Sequence, residues 1–196
     1  MMQPLKLIFI YAMGVLLLSC GRSKEPFYYV LNPVYVQIQT REVAPRERIG
    51  IDIVNIPEYL EKSQLSLYCT ANQSRLNEDH QWAENLAANI KRVIKTNLTN
   101  FLPGAMVEVY PWDSKFEPNY HVQIDITQFK VDINGQSVLY ADFSIYDAQK
   151  NVTQYHVRYQ QKIPIVNPIT VVQSMNANLT RLTRDIAKAW RYRPIR

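Results

Sequence analysis

Cysteine and histidine, the side chains whose spacing most readily marks a nucleophilic or metal site, are few: Cys20 and Cys69, and His80, His121 and His156. A zinc site needs grouped Cys, His or carboxylate ligands, and a nucleophilic site needs a base within reach of a hydroxyl or thiol. The histidines fall in separate elements with no such ligands at matching spacing. His80 reads as part of a first helical turn, where a capping or solvent-facing role suffices. His121 and His156 fall on strand faces with polar neighbours. The glycines at 14, 21, 50, 104 and 135 are isolated, so no phosphate-cradling loop exists, and neither G-x-S-x-G nor H-E-x-x-H occurs. These residues predict neither catalysis nor a metal.

Cys20 is a separate case. It follows an uncharged run, Leu7–Leu18, with Lys6 before it and the polar GRSKEP after it. A bilayer-spanning helix needs about 20 apolar residues, so the run is too short to cross and matches the apolar region of an export signal. Leu17-Leu18-Ser19-Cys20 resembles a bacterial lipobox, in which the thiol is acylated and the chain is cut before the cysteine. Residues 1–19 are thus expected to be a lipoprotein signal peptide, and 20–26 the acylated cysteine and a tether. Each buried methylene adds about 0.8 kcal/mol of membrane affinity, and lasting attachment takes more than one chain. Covalent lipid on Cys20, palmitate included, is the only attached group expected, with no other cofactor. Gly21 stands where an inner-membrane retention signal would place Asp, which favours the outer membrane.

With Cys20 acylated, Cys69 has no partner for an intrachain disulfide. Its place in the Leu65, Leu67, Cys69 alternation predicts a buried thiol. Sequons at Asn72, Asn97, Asn151 and Asn178 matter only on a eukaryotic secretory route, and the lipobox argues against one. The formal net charge of +5 is mild and spread along the chain. It suits anionic head groups or an acidic partner and not nucleic acid.

Hydrophobic periodicity supplies the elements. Phe27–Leu31 has strand composition. ERIGIDIVNI (47–56) alternates through Ile49, Ile51 and Ile53, and Pro57 closes it. Gln64–Ala71 alternates again and is expected to pair with it across PEYLEKS. From Glu78 to Phe101 the apolar positions Trp82, Leu86, Ile90, Val93, Ile94, Leu98 and Phe101 predict an amphipathic helix, capped by Asn77 or Asp79 and ended by Pro103-Gly104. Ala105–Tyr110 is a short strand. A long strand from Tyr120 changes parity near Thr127-Gln128, the mark of a β-bulge. Asn134-Gly135 is a hairpin turn, leading to strands Gln136–Tyr146 and Val152–Ile163. Val172, Met175, Leu179, Leu182, Ile186 and Trp190 form the stripe of a closing helix. Three strands, a helix, four strands and a helix predict a single α+β domain over 27–196. Its sheet is mostly antiparallel or mixed, with two amphipathic helices packed on one face.

Two features can bind. Arg181, Arg184, Lys188 and Arg191 recur at helical spacing opposite the last apolar stripe. They suit lipid phosphates or an acidic protein, or else form a solvated face with favourable C-terminal cations. Tyr28, Tyr29, Tyr35, Tyr110 and Trp112 can form an interaction rim, or pack in the core and on the sheet.

Taken in order, the lipobox, FYYVL, Ile56-Pro57-Glu58-Tyr59-Leu60, Trp82-Ala83-Glu84-Asn85-Leu86 and PNYHVQIDITQF resemble the PqiC (YmbA-type) family of auxiliary lipoproteins. The resemblance covers essentially the whole mature chain. It implies a non-enzymatic component of an ABC-type, MCE-linked lipid transport system that supports envelope integrity. The protein would sit on the periplasmic face of the outer membrane. Its partners would be a periplasm-spanning MCE-domain protein and that protein's inner-membrane partner, and ring-like self-assembly is implied too. Two other readings stay open: a domain that itself holds an acyl chain between sheet and helices, and a lipid-modified hydrolase.

Overall fold

The computed structural model describes residues 25–35, 47–70, 72–149 and 151–191. The apolar run, Cys20 and most of the tether lie outside these residues. Strands β1 (Phe27–Tyr29), β2 (Arg48–Asn55), β3 (Gln64–Thr70) and β4 (Gln73–Trp82) precede helix α1 (Leu86–Phe101). Strands β5 (Met106–Val109), β6 (Tyr120–Val131), β7 (Gln136–Asp147) and β8 (Val152–Lys162) precede helix α2 (Pro168–Arg191). The strands form two mixed sheets, one ordered β1-β4-β3 and one ordered β5-β2-β6-β7-β8.

The larger sheet carries the core. On its inner face Ile49, Ile51, Val122, Ile124, Ile126, Phe129, Leu139 and Phe143 are at most 1% exposed. They join one cluster with Ile90, Val93, Ile94 and Leu98 of α1 and Leu179, Leu182 and Ile186 of α2. Burying each such side chain contributes about 1.5–3 kcal/mol, so this layer of helix on sheet is the main source of stability. The parity change in β6 is a bulge between Ile126 and Gln128, which keeps Phe129 and Val131 inside. At the following hairpin Gly135 adopts φ of 80°. A Cβ there would lie 2.3 Å from the Ile163 carbonyl oxygen, so the turn requires glycine.

Both helices begin with asparagine. Asn85 Oδ1 accepts the Ala88 N–H at 3.1 Å. Before Pro168, Asn167 and Thr170 satisfy each other: Asn167 Oδ1 accepts the Thr170 N–H at 2.9 Å, and Thr170 Oγ1 accepts the Asn167 N–H at 3.0 Å.

The structure corrects four expectations. The first helix starts at Leu86 with Asn85 as its cap, not at Glu78 under Asn77 or Asp79. Residues 73–82 instead form β4, which carries His80 and ends in Trp82, so four strands precede α1. β3 pairs with β4 and not with β2, and β2 lies parallel to both β5 and β6. Cys69 is a free thiol that is only half-buried. Of the sequon asparagines, Asn97 and Asn178 are fully buried, a position no glycan can occupy.

Candidate functional site

The chain enters the domain through β1, which lies parallel to β4. Phe27 stacks on the His80 ring with centroids 5.4 Å apart, and the Tyr29 hydroxyl meets His80 Nδ1 at 2.8 Å. Tyr28 points away and is 62% exposed. The histidine assigned to a helical turn thus buttresses the entry strand.

Beyond β1 the chain becomes a strap, Leu31–Val34, held by side-chain amides of the helices. Asn89 Oδ1 accepts the Leu31 N–H at 2.7 Å, and its Nδ2 donates to the Leu31 carbonyl at 3.0 Å. Asn97 Oδ1 accepts the Val34 N–H at 2.8 Å, and Asn100 Nδ2 donates to the Val34 carbonyl at 2.9 Å. Asn176 of α2 accepts the Asn32 N–H at 2.9 Å. These amides take the place of a partner strand and satisfy backbone groups that burial would otherwise leave unpaired. Sequence reasoning missed them. The available signal was polar: Asn89 and Asn97 interrupt the apolar face of α1, and both are at most 1% exposed.

Two basic residues of α2 reach the C-terminal end of α1. The Arg184 guanidinium lies 5.5 Å from the centroid of the Phe101 ring, and Arg191 donates to the Phe101 carbonyl. Arg181 lies over the Tyr159 ring at 5.0 Å, and Lys188 pairs with Asp185 at 3.2 Å. Tyr29, by contrast, accepts a backbone bond from Ala83, ahead of α1. A helix of 16 residues is about 24 Å long. Tyr28 and Tyr29 therefore do not join Arg184 and Arg191 in one site.

Tyr110 and Trp112 belong to an aromatic cluster on the outer face of the larger sheet. Trp112 meets Tyr110 and Phe116 edge-on at 5.3 and 5.9 Å. It covers Gly50 of β2, where a Cβ would stand 2.8 Å from the indole. Beside it His121 Nδ1 contacts Asp52 Oδ1 at 2.8 Å, and farther along His156 Nδ1 contacts Asp142 Oδ1 at 2.6 Å. Among the described residues no hydroxyl or thiol completes either His–carboxylate pair. Tyr35 is fully exposed.

Among the described residues, the side chains between the larger sheet and the helices pack into one buried cluster. A cavity of about 10 Å³ lies between the 3-10 turn Glu58–Leu60, β3, Phe129 and Met175, which is one water's worth. A recess of about 470 Å³, open to solvent, lies outside the core against Glu58, Tyr59, Glu61 and Lys62.

Comparison with known proteins matches this architecture. A solved structure described only as an uncharacterized protein superposes with a TM-score of 0.69 at 17% identity, covering 85% of this chain and 99% of the other. Protein XCC0632 from Xanthomonas campestris, of family DUF330, superposes at 0.67 with 10% identity, covering 82% of this chain and 92% of its own. At such identities the likeness is one of fold. No curated protein matches the chain in sequence. The family model for the ABC-type transport auxiliary lipoprotein component matches residues 29–187. That span runs from the entry strand to the C-terminal half of α2 and takes in both sheets, the strap and the Phe101 contact of Arg184. The chain belongs to the ABC-type transport auxiliary lipoprotein component family.

Proposed function

We propose that this protein is a non-catalytic docking lipoprotein of an MCE-linked lipid transport system. It is held by acylated Cys20 on the periplasmic face of the outer membrane and receives the end of a periplasm-spanning MCE-domain protein. The observation that carries this reading is the family match over residues 29–187, which begins shortly after the lipobox cysteine. In this reading the palmitoylated N-terminus, freed of its signal peptide, feeds through the short tether into β1 and the asparagine-held strap. The domain is thereby fixed close to its anchor. The α2 cations Arg181, Arg184, Lys188 and Arg191 face anionic head groups or an acidic surface of the partner, and Tyr28 lies beside the tether.

The packed cluster between the larger sheet and the helices favours docking over carriage of an acyl chain there by a single copy. Lipid handling then belongs to the assembly, with ring-like self-association supplying several docking surfaces. Purification of the tagged full-length protein in mild detergent, followed by mass spectrometry, tests the reading. An MCE-domain protein and its inner-membrane partner are the expected companions. Recovery of lipid with neither protein would overturn docking in favour of carriage. Palmitate labelling should vanish in Cys20→Ala, and its persistence would remove the anchor.

A further inference from the structure

One edge of the larger sheet is built as if to be extended. β8 pairs with β7 in an unbroken register from Gln136↔Lys162 to Tyr146↔Val152, and it is the terminal strand of that sheet. At its two ends Asn151 accepts from the Asp147 N–H at 3.2 Å, and the Ile163 N–H donates to Gly135 at 2.8 Å. In an antiparallel ladder the backbone groups of successive residues point alternately to either side. Odd-numbered residues of this strand therefore bond to β7. The N–H and carbonyl groups of Gln154, His156 and Arg158 face the open side.

Natural edges are usually blunted by shortness, proline, bulges, inward charges or charged side chains along the edge. β8 has 11 residues, no bulge and no proline, and turns Tyr155, Val157 and Tyr159 inward. Of these devices it carries only edge cations, Arg158 and Lys162, which repel a like-charged strand and not an acidic one. Among the described residues only its far end is closed, where Arg181 Nη1 reaches the Gln160 carbonyl at 3.4 Å. Among those residues the stretch Val152–Arg158 is free.

We propose that this open edge docks an extended acidic segment of a partner protein, which adds to the sheet as a further strand. Main-chain pairing of this kind supplies affinity, and alternate side chains supply selectivity. The selectivity here is electrostatic. Arg158 and Lys162 project on the exposed side of β8, and Arg181 stands at its end. His156 is already engaged by Asp142. A second copy of this chain is a weaker occupant than an acidic strand, because it brings no carboxylate to this edge. The exposed positions of Val152–Lys162 carry Arg158, Lys162 and His156 and no Asp or Glu. A two-fold pairing centred on Arg158 sets that cation opposite its own copy, which is destabilising. The inference stands on the edge geometry and does not depend on the transport reading.

The test uses full-length protein in detergent and labelled peptides of about ten residues, alternating Thr with Glu or Thr with Lys. The Thr-Glu peptide should bind about tenfold or more tighter than the Thr-Lys peptide. Gln154→Pro removes an edge N–H without touching the β7 ladder, and both it and Arg158→Glu should abolish the preference. Methylating alternate amides of the Thr-Glu peptide should do the same to the unaltered protein, which keeps the test valid if a variant fails to fold. Equal affinity for the two peptides would overturn the proposal. So would binding that survives Gln154→Pro or amide methylation, since that is surface charge alone. A particle mass that falls in Gln154→Pro by light scattering would assign the edge to a second copy and overturn it as well.

Discussion

The side-chain amide of Asn89 holds both backbone groups of Leu31, accepting from its N–H at 2.7 Å and donating to its carbonyl at 3.0 Å. All three groups are buried, so no water can substitute. Asn89→Ala should therefore destabilise the domain by about 2–4 kcal/mol, the cost of stranding two buried polar groups. Denaturant unfolding should show a lowered midpoint with an unchanged slope. A stability loss below about 0.5 kcal/mol, the scale of an ordinary surface change, would mean the strap does not depend on this amide.

Gly50 and Trp112 form a second tight pair. Alanine at position 50 places its Cβ 2.8 Å from one indole carbon and 3.1 Å from Pro118. The ring is boxed in by Tyr110 and Phe116 and must move as a whole. Gly50→Ala should cost about 1–3 kcal/mol and change the tryptophan emission. Combining it with Trp112→Ala should erase most of its own cost, and a double-mutant cycle reads that coupling. Strictly additive effects would rule out the contact.

The strand pattern explains why parts of this fold were readable in advance and others were not. β6 announced its bulge because Ile124 and Ile126 share one parity while Phe129 and Val131 take the other, and only an extra residue keeps all four inside. Asn134-Gly135 announced its turn because few residues tolerate a φ of 80°. β4 announced nothing. Its sequence, QSRLNEDHQW, has no alternation, and it becomes a strand because β1 and β3 pair with it on both sides. Trp82 compounded the difficulty. It stands four residues before Leu86, so a buried strand end completed a false helical period. The pairing of β2 was hidden for a related reason. Its neighbours β5 and β6 lie beyond α1 in sequence, and parallel partners leave no turn signature. At the candidate site the spacing of the α2 cations was legible. The distance of Arg184 and Arg191 from Tyr28 and Tyr29 was not, because it is set by the length of a different helix.

Tyr159 ties stability to alkaline pH. Its hydroxyl donates to Asp185 Oδ2 at 2.8 Å. Burial, followed by the Asp185 carboxylate, pushes its pKa well above the ordinary value of 10.0. Burial also raises Tyr59 and Tyr68. A folded-state pKa above the unfolded one means that the native protein holds the proton more tightly. The resulting stability is complete below about pH 10 and declines as pH rises past it. Tyr159→Phe should cost about 1 kcal/mol at neutral pH and flatten that decline. An equally steep loss above pH 10 in the variant would assign the effect to other groups.

The α2 cations make a graded prediction. Each Lys or Arg near an anionic surface contributes about 1 kcal/mol, which is about fivefold in affinity. Lys188→Gln and Arg184→Gln, each made in the Cys20→Ala protein, should reduce binding to vesicles rich in anionic lipid by that factor. Raising the salt should remove the difference, since exposed charges are screened. Binding that is indifferent to both changes would assign this helix face to solvent.

The strap also determines how force enters the molecule. A pull on the chain ahead of Phe27 acts along β1, which hangs beside β4 in parallel pairing. The next restraint it meets is Leu31, gripped by Asn89 in the helical layer. Tension applied from that side is thus delivered to the helices over the core, and the five-stranded sheet is spared direct strain. A domain loaded in this way can be tugged as the envelope flexes and keep its outer sheet face, and the open edge of β8, in shape for whatever binds there.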